Sequence, residues 1–319
     1  MRRTFKYRIY LNKPQQEVLH KNFNFCCFLY NSALQERKDY FSKYRKLLHY
    51  NIQASFLKEI KVEFIEQTKT IYSQNLQQVL KTVDIAYQNF FRRVKSKANK
   101  VGFPRFKPID RFNSITFPQC DMKTGGIKLL PNNKLKIFGI PGEVKIKLHR
   151  PFQGRCKTVT IKKQSDKFYI ILSCEDVPSE HLTKTNKIIA IDLGLNNFIT
   201  TDDGTLFHHP KPYKTSKEKL AHLQQSLAVK QRGSNNRKKL KRSISKLYDH
   251  ITNVRQDFLH KISNQLVKQN DKIIIEKLNI KSMLESKGFE VNKGNIQDAS
   301  WASFAGMLHY KAERAGREK

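Results

Sequence analysis

The 319-residue sequence predicts an α+β protein of several domains, because three textures follow one another along it. Helical periodicity dominates the N-terminal third. Short alternating runs occupy the middle, and the last part holds two apolar runs, each ending in a carboxylate, with helical sequence between them. An apolar share of 39% in a chain of this length gives each domain a core of its own.

Residues 3 to 10, R-T-F-K-Y-R-I-Y, alternate as a half-buried strand does, and Asn12-Lys13-Pro14 closes that strand ahead of a helix. From Gln15 to Leu48 the positions Val18, Leu19, Phe23, Phe25, Phe28, Leu29 and Leu34 recur mostly at steps of three and four, which predicts helices. A second helical segment starts at Ser73. It carries Leu76, Val79, Leu80, Val83, Ala86, Tyr87, Phe90 and Phe91 on one side, with glutamines and basic residues on the other. Phe90 and Phe91 read as helical core in preference to rings that stack on nucleobases.

After G-F-P-R-F-K-P, residues 102 to 108, come S-I-T-F, I-K-L-L, K-L-K-I-F, E-V-K-I-K-L, T-V-T-I-K-K and F-Y-I-I-L-S-C, broken by Gly, Pro and Asn-Asn. Short strands at this spacing predict a small barrel, which the first strand closes, with the helices inserted between its strands. Beyond Lys187 a basic helical stretch runs from Ser216 to Asn270. Its middle, R-G-S-N-N-R-K-K-L-K-R, divides it into two helices.

Sixty-one basic residues against 27 acidic ones leave a net charge of +34, spread through the chain and set among apolar positions. Self-repulsion on that scale destabilises a compact protein on its own, so the expected partner is a polyanion, with nucleic acid favoured over an acidic membrane or a protein. The five cysteines (Cys26, Cys27, Cys120, Cys156, Cys174) form no C-x-x-C pair, which argues against a disulfide framework and a zinc site. Neither a long apolar window nor a signal peptide is present in the sequence, so a cytoplasmic protein is expected.

The segment K-I-I-A-I-D-L-G-L-N-N-F-I-T-T-D-D-G, residues 187 to 204, reads as a strand ending at Asp192, a turn, and a second strand ending at Asp202-Asp203-Gly204. D-K-I-I-I-E-K-L-N places Glu276 at the matching point of another strand, 84 positions after Asp192. Helices between two strands return the chain parallel to its start, which brings both strand ends to one edge of a sheet. At a separation of about 4.8 Å the two carboxylates can share a divalent cation such as magnesium, and a pair of such ions suits phosphodiester cleavage. On these residues alone a plain alternative stands beside that reading: each acid caps its strand or pairs with one of the many lysines.

Several stretches together make the chain resemble the TnpB/OrfB family of bacterial insertion sequences, RNA-guided relatives of the type V CRISPR effectors. They are L-N-K-P-Q-Q, L-Q-Q-V-L-K-T-V-D-I-A-Y-Q-N-F-F-R, G-F-P-R-F-K, A-I-D-L-G-L-N-N-F-I-T-T-D-D-G, R-Q-D-F-L-H-K-I-S, I-I-I-E-K-L-N-I-K-S-M and W-A-S-F-A-G-M-L-H-Y-K-A-E-R-A-G, in order along the chain. The resemblance implies a wedge-like β-barrel domain (1–12 and 101–186), an inserted helical recognition domain (13–100), and a RuvC-like domain of ribonuclease H fold (187–319). In that scheme Asp192 and Glu276 correspond to the first and second catalytic carboxylates and are the residues that would hold Mg2+. Basic surfaces, including Arg92, Arg93, Arg105, Lys107, Arg237, Lys238, Lys239 and Arg255, would hold the backbone of a guide RNA and its hybrid with double-stranded target DNA. A short DNA motif flanking the target would lie against Tyr50, Ser73, Gln74, Gln77 and Gln119. Glutamine can pair with the edge of adenine, although such a helix face is as readily plain solvent surface.

The family pattern continues into a four-cysteine zinc ribbon and a third catalytic aspartate, neither of which is found before Lys319. Of the later acids, Asp298 reads as part of the cap of the helix bearing Trp301, Phe304 and Leu308, and Glu285, Glu290, Glu313 and Glu318 fall in a loop or in the last helix. The expectation is a truncated RuvC-like domain that binds Mg2+ weakly, takes no zinc and does not cleave. Guide RNA and DNA binding would survive, since base pairing supplies sequence choice. The resemblance to nuclease-dead members then implies an RNA-guided transcriptional repressor of the bacterial nucleoid, with no membrane association. The alternative is an RNA-guided DNA endonuclease whose zinc ribbon and third aspartate lie outside this sequence.

Overall fold

The structure is a computed structural model and describes residues 1–276, 278–279, 282–283 and 298–317. The chain divides into two compact units, Met1–Pro178 and Ser179–Lys319.

In the first unit, strand β1 (Arg3–Tyr10) buries Phe5, Tyr7 and Ile9 on one face, as its alternation predicts. Helix α1 (Lys13–Tyr44) follows at once, and its start is fixed by a reciprocal cap: Gln15 N donates to Asn12 Oδ1 at 2.9 Å and Asn12 N donates to Gln15 Oε1 at 3.0 Å. The same buried Gln15 amide donates to the carbonyls of Pro141 and Glu143, at 2.9 and 3.2 Å. One side chain therefore ends the strand, starts the helix and ties both to a later turn. Three short helices, α2 (Tyr50–Ser55), α3 (Leu57–Glu63) and α4 (Ile65–Thr68), start without side-chain caps and were not foreseen. Helix α5 (Ser73–Lys95) begins where the sequence places it. Its buried positions end at Tyr87, so Phe91, expected in the core, is 41% exposed.

Strands β2 (Ser114–Pro118), β3 (Ile127–Leu130), β4 (Lys134–Ile137), β5 (Val144–Lys147), β6 (Arg155–Gln164) and β7 (Lys167–Glu175) match the six alternating runs. With β1 they form an antiparallel sheet of order β2-β6-β7-β1-β5-β4-β3. The expected closed barrel is corrected to a curled half-barrel. Strand β1 lies in the middle, between β7 and β5, and among the described residues no pairing joins the edges β2 and β3. A closed small barrel fills its interior with its own side chains. Here Tyr7, Ile9, Leu135, Ile161 and Leu172 share one core with Leu19 and Phe23 of α1 and Leu76 and Leu80 of α5. Helices take the space that closure would need.

The helices are pinned to the sheet at Thr70. Asn22 Nδ2 donates to the Thr70 carbonyl at 3.1 Å, and the Thr70 hydroxyl donates to Asn22 Oδ1 at 2.7 Å. Gly139, after β4, has φ +73 and lies so close that a Cβ on it would strike the Thr70 carbonyl.

The second unit holds a four-stranded sheet of order β10-β9-β8-β11, from β8 (Ile188–Asp192), β9 (Ile199–Thr201), β10 (Leu206–Phe207) and β11 (Lys272–Ile275). Helices α6 (Pro212–Ala228) and α7 (Asn235–Gln269) lie between β10 and β11, divided at 229–234 as the sequence predicts. Helix α8 (Trp301–Ala315) packs Trp301, Phe304 and Leu308 into one core with Phe198, Ile191, Leu259 and Leu266. Beyond α8, Arg317 pairs with Asp271, whose carboxylate also accepts from Thr185 N at 2.9 Å and Asn186 N at 2.7 Å. These amides, the guanidinium and the Thr185 hydroxyl hold the Asp271 carboxyl below its ordinary value, Thr185 N contributing most. Among the described residues no helix is long and apolar enough to cross a membrane.

Two predictions follow from this packing. Gly139→Ala forces a side chain against backbone at a positive φ, and chemical denaturation is expected to show the protein destabilised by about 2–4 kcal/mol. Lys311, on α8, donates to the His260 carbonyl at 2.9 Å and Ser263 Oγ at 2.6 Å, and burial pushes its pKa from 10.5 down to about 8. Between those values the unfolded chain binds more protons at this site than the folded one, so stability from this group rises with pH across the window and is constant below it. The stability difference between the wild type and Lys311→Met, from urea denaturation, should therefore be flat below pH 8 and shift in favour of the wild type from there towards 10.5.

Candidate functional site

Strands β8 and β11 are parallel neighbours, in register from Ile188 with Lys272 to Ile191 with Ile275. One step further along both strands stand Asp192 and Glu276, so the two carboxylates sit side by side at the same sheet edge, on strands about 4.8 Å apart. Both are exposed. On its other side Asp192 faces Thr200 of antiparallel β9.

The acids of the following turn are committed locally. Asp202 Oδ2 accepts from Ala190 N at 3.1 Å, and its own N–H donates back to the Ala190 carbonyl at 3.1 Å. Asp203 accepts from the Thr201 hydroxyl at 2.5 Å and Thr205 N at 2.9 Å, and these donors, the hydroxyl foremost, hold its carboxyl below its ordinary value. Among the described residues no group of three or more His, Cys, Asp or Glu side chains converges as a metal site requires. Glu285, Glu290 and Glu318 lie outside the described residues.

Asp298 departs from its expected role. The residue preceding α8 is Ser300, in left-handed conformation and without a side-chain cap. Asp298 is 4% exposed and instead serves the start of α6: Oδ2 accepts from Tyr213 N at 3.1 Å, and Oδ1 accepts from Arg255 Nη2 at 2.5 Å. A helix N-terminus carries unpaired N–H groups and a partial positive charge, so a buried carboxylate that also meets a guanidinium is well placed there. Beside it His209 packs between Phe198 and Phe258, at 5.5 and 5.2 Å between ring centres. Burial holds the His209 pKa below its ordinary value, against the opposing pull of Asp298.

The eight predicted backbone-binding residues fall into two groups. Arg92, Arg105, Lys238 and Lys239 are exposed. The other four make contacts inside the protein. Arg255 pairs with Asp298, and Arg237 donates to the carbonyls of Leu227 and Lys230 at the end of α6. Arg93 donates to those of Val101 and Gly102. Lys107 places its ammonium 3.9 Å from the Tyr30 ring centre, and burial lowers its pKa.

Of the five predicted motif residues Ser73, Gln74 and Gln77 lie in the N-terminal half of α5, Tyr50 opens α2 and Gln119 follows β2. Ser73 opens the helix and accepts from Lys61 Nζ at 2.9 Å. Gln74 Nε2 donates at 3.3 Å to Oε1 of Gln119, the left-handed residue that follows β2. Gln77 is exposed one turn further on, and after another turn Lys81 stands 5.8 Å from the Tyr50 ring centre. Ser73, Gln77 and Lys81 follow at steps of four and so share one face. Buried Gln74 Oε1 has no hydrogen-bond partner among the described residues.

The family OrfB_IS605, "Probable transposase", matches residues 170–287. A second, "Helix-turn-helix domain", matches residues 1–46, where the structure holds one strand and the single helix α1. "Putative RNA-guided DNA endonuclease InsQ" of Escherichia coli (strain K12) is 30% identical over 324 residues, covering 96% of this chain and 77% of that protein. A "Putative RNA-guided DNA endonuclease" of Streptomyces pristinaespiralis is 29% identical, covering 100% and 76%. In fold the chain is similar to the protein in the structure "Cryo-EM structure of the Cas12f1-sgRNA-target DNA complex", with TM-score 0.51 and 11% identity over 100% of this chain and 88% of that one. The chain belongs to the TnpB/OrfB family of RNA-guided nuclease relatives encoded by insertion sequences.

Proposed function

We propose that this protein carries a guide RNA to matching double-stranded DNA, holds that DNA beside a short flanking motif without cutting it, and represses transcription where the site lies in a promoter. The observation that carries the reading is the carboxylate pair itself. Asp192 and Glu276 share one sheet edge, and no third acid, His or Cys joins them among the described residues. Two-ion phosphodiester cleavage needs enough oxygen donors to seat both ions. Two exposed carboxylates, as found among the described residues, do not fit such a centre.

Binding asks for less. Base pairing with the guide chooses the target, while the protein grips backbones and reads a few flanking base pairs. A net charge of +34 suits the first task. The strip of Tyr50, Ser73, Gln74, Gln77 and Gln119 suits the second, with exposed Gln77 able to face an adenine edge. The alternative reading, an RNA-guided endonuclease completed by a zinc ribbon and a third aspartate, draws on the same pairing of Asp192 with Glu276.

The test is to purify the protein with the RNA it retains, sequence that RNA, and incubate the complex with a supercoiled plasmid bearing the match and Mg2+. The expected result is a nuclease footprint over the match on a plasmid that stays supercoiled. Nicked or linear plasmid, lost on Asp192→Asn, would favour the endonuclease.

A further inference from the structure

The C-terminal half of α5 borders a cavity of about 550 Å³, within the size range of ligand pockets. Phe41, Tyr87, Phe90, Phe91 and Phe103 line it. Phe103 meets Phe90 edge-on at 5.1 Å and Tyr87 at 5.6 Å. Its segment is drawn onto the helix by Arg93, which holds the carbonyls of Val101 and Gly102, the glycine at φ +60. Phe41, Phe91 and Phe103 are still 45%, 41% and 45% exposed. Rings kept together yet open to solvent form a surface that another flat group can complete.

Arg37 also lines the cavity and is 6% exposed. Its Nε donates to Gln53 Oε1 at 2.7 Å and its Nη1 to Asp84 Oδ1 at 3.0 Å, while buried Nη2 has no partner among the described residues. A buried donor left unpaired is costly. Because Asp84 already balances the guanidinium charge, the spare N–H suits a neutral carbonyl better than a phosphate. An apolar protein side chain would fill the cavity but leave Nη2 unsatisfied. The stretch that carries Phe103, from Arg92 to Lys107, holds seven basic residues and no acid, which suits a polyanionic partner.

Aromatic ring surface, one buried donor beside it and a basic flanking stretch together match a single nucleobase. We propose that the cavity receives an unpaired uracil or guanine of the guide RNA, stacked among the phenylalanine rings, and that its carbonyl accepts from Arg37 Nη2 once the guanidinium turns to bring that buried nitrogen to the cavity wall. Adenine, which has no carbonyl, fits less well. Bases of a DNA duplex are paired and stacked, whereas RNA loops and single-stranded segments offer bases that can be splayed onto aromatic rings. The proposal rests on the guide-RNA reading above and adds the place and type of contact. Tyr87 lies about 15 Å along the helix from Gln77, ten residues at about 1.5 Å each, so one helix would present the DNA strip and the RNA pocket at separate points.

Short-wave ultraviolet crosslinking of the RNA-loaded protein, with the adducts mapped by mass spectrometry, tests this on the unaltered chain. Uridine or guanosine adducts are expected on peptides spanning Tyr87 to Phe103. The double variant Phe91→Leu, Phe103→Leu keeps the apolar volume but removes two rings, and should bind the same RNA about tenfold more weakly while keeping the wild-type thermal unfolding. Adducts only elsewhere, adducts there from DNA alone, or unchanged RNA affinity in the folded variant would overturn the pocket while leaving RNA binding intact. A protein that retains no RNA would overturn the guide-RNA reading as well.

Discussion

A parallel pair of strands cannot be closed by a tight turn, because the chain must travel back the full length of the sheet before it can start the second strand in the same direction. In the second unit that return is made by two helices, and on completing it β11 lies beside β8 with Ile275 opposite Ile191. The next residue on each strand is an acid. Everything said of the carboxylates depends on this pairing, since a shift of one residue would turn one of the two to the opposite face of the sheet. Asp298 supports the crossover from below by satisfying the start of α6 and pairing with Arg255 in the middle of α7.

The first unit answers a different constraint. Its sheet does not close on itself, so apolar surface is left that only helices can cover, and α1 and α5 cover it from a common core. Helix α5 outruns that core at Tyr87. Its first half is seated firmly enough to present a polar strip, and its last turns carry aromatic rings beyond the sheet. Position along one helix thus separates the polar strip from the aromatic cavity that we propose as DNA and RNA contacts.

Much of this was legible in the sequence because local patterns govern it. The alternating runs became β2 to β7, Asn12-Lys13-Pro14 marked the end of β1 and the start of α1, and equal spacing within two apolar runs placed Asp192 beside Glu276. Closure of the barrel was not legible, because edge pairing depends on what fills the interior. The role of Asp298 was hidden for a similar reason: its partners are 85 and 43 positions away. Charge counting also could not separate Arg105, which is exposed, from Lys107 two residues later, whose long side chain lies over Tyr30. Helices α2 to α4 lack capping side chains and so gave no start signal.

On the proposal of binding without cleavage, the pair at the sheet edge is a centre with too few oxygens to seat two ions. Electron paramagnetic resonance of the RNA-loaded protein titrated with Mn2+ examines this directly, since it separates isolated ions from coupled pairs. Weakly held, isolated ions are the predicted outcome. Two tightly held, spin-coupled ions that disappear on Asp192→Asn would contradict it.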